Sequence, residues 1–132
     1  MITLEQYFIG RPHSSEQTAS ATTLLSTVNA LLALYSTEEG KELPVNIHTG
    51  NLISGLTEGG FRLPNCTQGA PNSSHKQAKA VDVYDPHDDF DTWLTDELLT
   101  RFNLYREAPT STEGWCHLTI RPPASGHRTF QP

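Results

Sequence analysis

Six residues lie between His75 and Asp82 in the stretch Ser73-Ser74-His75-Lys76-Gln77-Ala78-Lys79-Ala80-Val81-Asp82. The acid belongs to a short β-branched run, Ala80 to Tyr84. Successive strand side chains alternate, so Ala80, Asp82 and Tyr84 take one face while Val81 and Val83 take the other. The valines can then enter a core while Asp82 points the opposite way. His75 follows a loop of Gly, Ala, Pro, Asn and Ser residues that can fold it back over the face carrying Asp82. A second histidine, His117, stands in Gly114-Trp115-Cys116-His117-Leu118-Thr119-Ile120. Two imidazoles and one carboxylate form a set that holds Zn2+ with a fourth position open to water, as in catalytic rather than structural zinc sites.

The elements that must position these groups follow from periodicity. Ile2 to Phe8 reads as a short element. Leu24, Leu25, Val28, Leu31, Leu32 and Tyr35 recur at helical spacing. Thr18, Ser20 and Thr22 offer caps for that helix, and Gly40 closes it. Pro44 to Thr49 alternates like a strand that ends at Gly50, and Gly59 to Ser74 reads as a long loop. After Asp85-Pro86, the acids Asp88, Asp89 and Asp91 suit a helix N-terminus. Phe90, Trp93, Leu94, Leu98, Leu99 and Phe102 make a second apolar stripe, with Asn103 as its C-cap. The spacing of Asp85, Asp88, Asp89 and Asp91 does not fit an EF-hand loop.

Leu104 to Glu107 and Trp115 to Ile120 read as strands joined through the turn-rich segment Pro109 to Gly114. On the second of these, Trp115, His117, Thr119 and Arg121 share a face. Cys116, Leu118 and Ile120 take the other, which makes Cys116 a small buried hydrophobe. The segment from Arg121 to Pro132 is expected to pack over the surface. Helices mixed with hairpin-linked strands, without regular alternation, indicate an α+β class with a small antiparallel sheet, flanking helices and the zinc site on one sheet face.

The 132 residues suit a single domain spanning 1–132, and 36% hydrophobic with 18% charged residues is a globular composition. A net charge of -6 with scattered Lys and Arg excludes a nucleic-acid surface. The sequence has no membrane span and no basic-then-apolar signal segment, so cytoplasmic synthesis is expected. Cys66 and Cys116 form no CxxC pair and are expected as reduced thiols.

Gly60-Phe61-Arg62, Gly69-Ala70-Pro71-Asn72-Ser73-Ser74-His75, Ala78-Lys79-Ala80-Val81-Asp82 and Trp115-Cys116-His117 occur in that order. Together they resemble the M15 zinc peptidases, whose members include D-alanyl-D-alanine carboxypeptidases and L-alanyl-D-glutamate endopeptidases, many of them bacteriophage lysis enzymes. The resemblance covers the chain from Gly59 onward. It implies an M15/hedgehog-like fold, zinc on His75, Asp82 and His117, Arg62 steadying the substrate, and hydrolysis of peptide bonds in bacterial peptidoglycan stems. It further implies action on the cell wall after release through a partner's holin-type pore, or service as a virion component. A monomer is expected.

Two positions depart from the family pattern. Ala78 stands where Gly is usual, which requires a negative φ there. Gly114 stands three residues before His117, where several members carry the general base. Glu113, one residue earlier, and Glu107, at the end of the preceding strand, are the alternatives for that role. A chain with no competent base would be a zinc-stabilised structural module of a virion. His13, His48, His87 and His127 lack matched context and read as ordinary polar residues.

Overall fold

The computed structural model describes residues 1–132 as a mixed α+β domain. Its long helix α2 follows a five-residue helix, α1 (Leu4–Phe8), and spans Ser15–Glu39. It starts earlier than Thr18, because Ser14 and Gln17 form a reciprocal capping box that satisfies two free amides. Gly40, at φ 67°, ends it. The stripe Leu24, Leu25, Val28, Leu31, Leu32 and Tyr35 is buried as its spacing requires. Truncating one of its leucines to Ala should cost roughly 2–5 kcal/mol. No helix is long and apolar enough to cross a membrane.

The strands are β1 (Ala80–Tyr84), β2 (Tyr105–Glu107), β3 (Trp115–Thr119) and β4 (Thr129–Phe130), in the order β1-β3-β2-β4. The sheet is mixed, not antiparallel throughout. β1 and β2 both pair antiparallel with β3, but β4 runs parallel to β2. The segment expected to lie over the surface thus adds an edge strand, with Arg106 and Ala108 donating to the carbonyls of Arg128 and Phe130 at 2.8 and 2.7 Å.

Val81 lies opposite Leu118 and Val83 opposite Cys116, and these four side chains face the core with Leu99, Leu104 and the α2 stripe. Cys116 is buried and Cys66 half-buried, both as free thiols. The outer edge of β1 is closed by the segment 52–59. Asp82 donates its amide to the Gly59 carbonyl, while Ser54 and Tyr84 make further backbone bonds across the same edge. This removes an exposed edge beside the site.

Two further expectations are corrected. Pro44 to Thr49 is not a strand, and its only ladder contact is one bridge between Asn46 and Asn51. The Asn46 side chain donates to the carbonyls of Ile53 and Gly55 and accepts from the His48 amide, so it builds a turn instead. Ile47 is 88% exposed, so the alternation there marks no buried face. The second apolar stripe is also split, into α3 (Asp89–Trp93) and α4 (Asp96–Arg101). Leu94 is extended, and Thr95 starts α4 by accepting the Leu98 amide. Asp85, not Asp88, caps α3 through the amides of Phe90 and Asp91.

Candidate metal centre

On the face opposite the core, β1 and β3 set Ala80 against Thr119, Asp82 against His117 and Tyr84 against Trp115. Strand register alone therefore joins two of the expected ligands. His75 arrives from the turn before β1. Its Nδ1 lies 2.9 Å from the Gly60 carbonyl, which takes the ring proton and turns Nε2 toward Asp82. The neighbouring Gly59 carbonyl holds the Asp82 amide at 2.8 Å. One glycine pair thus places both residues. A Cβ at Gly60 would come within 2.6 Å of the Tyr7 carbonyl, so only glycine fits that approach.

Ala78, between these two ligands, adopts φ 58°, contrary to the negative value expected. Its methyl is fully buried, and the turn is held by the amides of Ala78 and Lys79 on the carbonyls of His75 and Ser74. A left-handed alanine costs about 1–2 kcal/mol, offset here by that packing and those bonds.

His75 Nε2, Asp82 Oδ1 and His117 Nδ1 form a small triangle with sides of 3.2, 2.9 and 3.3 Å. Donors placed 2.0–2.1 Å from a tetrahedral ion are separated by about 3.3 Å, so the donor set fits a zinc-sized cation. Burial works against the charge on Asp82, but His75 and His117 outweigh it and hold the carboxyl well below the usual carboxylate range. Its second oxygen, Oδ2, lies 3.6 Å from Arg62 Nη2. Arg62 is fixed in turn by Nε donating to the Glu58 carbonyl at 2.7 Å and by its amide on the His75 carbonyl. Arg62 therefore stands behind a ligand.

The two candidate bases part company in space. β2 pairs Tyr105 with Thr119 and Arg106 with Leu118. Continuing that register by one residue carries Glu107 toward His117, and the charges of His117, Asp82 and His75 all act on its carboxyl. Burial pushes the Glu107 carboxyl up; the charge of Asp82 adds to this, while His117 and His75 oppose it. Glu113 is exposed in the turn before β3, outside the strand that carries His117.

Protein-family models, curated proteins and solved structures give no match to this chain. The structure also brings in Phe130, which sequence reasoning passed over. It is the Cα partner of Glu107 on β4, and its ring stands edge-on to His117 with centroids 6.2 Å apart. The only sequence signal was an aromatic residue in a proline-rich tail.

Asp85, Asp88 and Asp91 make a second acidic group with oxygens within 4.8 Å of one another. The oxygens of Asp85 are taken by the two α3 amides, and Asp91 Oδ1 faces Arg106. Those contacts explain the first and third acids as a helix cap and an ion pair.

Proposed function

We propose that this chain is a zinc-dependent peptidase of the M15 type, with an M15/hedgehog-like fold, that hydrolyses peptide bonds in bacterial peptidoglycan stems. One observation carries the reading. Asp82 and His117 are direct cross-strand partners, and His75 closes the donor triangle from the side. The substrate class rests on the resemblance alone.

When bound, zinc supplies Lewis acidity to a carbonyl and lowers the pKa of a water at its open position to about 7. Glu107 is the general base. It accepts the proton of the attacking water and passes it to the amine nitrogen as the C–N bond breaks. A raised carboxyl suits that exchange, because the acid must hold the proton between the two steps. Arg62 fixes the orientation of Asp82, and its remaining N–H groups can meet a substrate carboxylate or carbonyl oxygen. Gly60 fixes the tautomer of His75.

The test is mass analysis of purified cell-wall peptides incubated with the protein, with and without a chelator. A new chain end that appears only without chelator is expected. Intact peptides in both arms would reject the peptidase. A second reading, a zinc-stabilised virion module without activity, is favoured by one feature, the glycine at position 114 where several M15 members carry their base. Zinc binding without hydrolysis would support it.

A further inference from the structure

Backbone hydrogen bonds run along the outer edge of β1 past the metal donors. Tyr84 donates its amide to the Leu52 carbonyl, Ser54 donates to the Asp82 carbonyl, and Asp82 donates to the Gly59 carbonyl. The next acceptor along that edge, the Ala80 carbonyl, is met by a side chain instead. Tyr7 Oη, from the far N-terminal part of the chain, donates to it at 2.8 Å. The Tyr7 side chain is fully buried, and burial pushes its phenol up, so the hydroxyl keeps the proton it donates.

The same residue holds the support of a second donor. The Tyr7 carbonyl accepts the Phe61 amide at 3.1 Å and lies so close to Gly60 that a Cβ there would come within 2.6 Å. Gly60 carries the carbonyl that orients the His75 ring, and Ala80 lies two residues before Asp82. Tyr7 therefore spans from the support of one donor to the strand of another. His75 Nε2 and Asp82 Oδ1 stand 3.2 Å apart across that span.

Local sequence fixes Tyr7 in place. Thr3 and Gln6 cap α1 reciprocally, each bond at 3.1 Å. The Ile2 amide donates to Asn29 Oδ1 at 2.8 Å and the Ile2 carbonyl accepts from Asn29 Nδ2 at 2.9 Å, which ties the start of α1 to α2. Beyond the helix, Arg11 Nη1 donates to the Phe61 carbonyl at 2.6 Å. Phe61 is thus held at its amide by residue 7 and at its carbonyl by residue 11. The next residue is Arg62, which stands behind Asp82.

We propose that the N-terminal segment clamps the metal centre, with Tyr7 as the positioning residue that sets the Gly59–Gly60 pair against β1 and Arg11 as its second hold. The clamp lies outside the stretch that resembles the M15 enzymes, and it rests on the metal-centre part of the proposed function.

The experiment uses the full-length chain, with zinc alone as the probe. Tyr7→Phe keeps the ring and removes the hydroxyl. Competition against a chromophoric chelator should find zinc affinity lowered about tenfold, the low end for loss of a ligand's support. Arg11→Met should lower it about two- to fivefold, the share of one hydrogen bond. Amide exchange in the metal-free protein supplies a readout that a general loss of stability would not give. In Tyr7→Phe the Asp82 amide should quicken at least about fivefold relative to the Tyr84 amide, which lies further along the same edge. Zinc affinity within about twofold of the unmodified protein in both variants would overturn the clamp and leave the metal centre standing. Equal quickening of the two amides would also overturn it, since the hydroxyl would then serve the fold as a whole. An effect of Tyr7→Phe alone would remove Arg11 from the clamp. If Tyr7→Phe does not fold, normal zinc affinity in Arg11→Met overturns the clamp and lowered affinity supports it. Weakened zinc binding in the variants of a protein that cleaves no peptide supports the clamp and rejects the peptidase. No zinc binding by the unmodified protein would reject both.

Discussion

Asp82 and His117 are direct cross-strand partners, and Oδ1 of the acid lies 2.9 Å from Nδ1 of the ring. The pairing joins distant parts of the sequence, so the folded sheet preorganises two of the three donors before any ion arrives. Removal of a partner of a ligand costs a metal site about 10–100-fold in affinity, and removal of a ligand itself should cost more. His117→Ala and Asp82→Asn are therefore each expected to weaken zinc binding by more than about 100-fold. Competition against a chromophoric chelator measures this. Affinity within about tenfold of the unmodified protein would disprove the centre.

The same preorganisation predicts that the ion stabilises the fold. At a free concentration of 100 times Kd, a ligand that binds only the native state adds about 2.7 kcal/mol. For a chain of this size that raises Tm by roughly 5–15 °C. Calorimetry with and without chelator should show the difference, and His117→Ala should abolish it.

Arg62 Nη2 approaches the second oxygen of Asp82 at 3.6 Å, with both side chains mostly shielded from solvent. Arg62→Met leaves that oxygen without its cation, and zinc affinity is expected to fall about 10–100-fold. Arg62→Lys should restore part of the loss, because an ammonium supplies the charge but not the planar fork. If Arg62 served only the substrate, both variants would bind zinc normally.

Glu107 and Glu113 are separated by strand register. Glu107→Gln should lower kcat about 10²–10⁴-fold on cell-wall peptides while zinc content stays unchanged. Glu113→Gln, exposed in the turn before β3, should remain within about twofold of the unmodified rate. The reverse result would move the base to the turn.

How much of this was legible in the sequence depends on the range of the cause. The α2 stripe, the β1 and β3 alternation and the donor residues are set locally by side-chain type and spacing, and each is found where its pattern puts it. Pro44 to Thr49 failed because alternation ignores what an asparagine side chain can do to its own backbone, and Asn46 turned the segment instead. The break at Leu94 was equally hidden, since a continuous apolar stripe masks a threonine able to start a second helix. β4 carries little strand signal and forms because β2 offers it an open edge. Glu107 nears the donors only on condition that the hairpin forms, which the sequence allowed to be read as a condition, and the position of Phe130 was not readable at all. Both follow from register between strands, which a one-dimensional pattern does not contain.

Asp91 gives the pH dependence. Its carboxyl is buried on the core side, with Oδ1 3.4 Å from Arg106 Nη1 and Oδ2 without any partner. Burial pushes the group up to about 6, and Asp85 adds to this, while the Cys116 thiol and Arg106 oppose it. An unfolded aspartate titrates near 3.9, so the native chain holds this proton more tightly than the unfolded one. The resulting stabilisation is complete below about pH 4 and is lost as the pH rises through about 6. Its size is about 1–2 kcal/mol after allowance for screening. Asp91→Asn removes this proton and keeps the shape. Urea unfolding of metal-free protein should find the variant gaining about 1–2 kcal/mol on the unmodified chain between pH 4.5 and pH 7. Taking the difference between the two proteins cancels the opposite slope from Asp82, whose lowered carboxyl favours the native state as the pH rises. A constant offset between the two proteins at both pH values would mean that Asp91 is ionised throughout, held by Arg106.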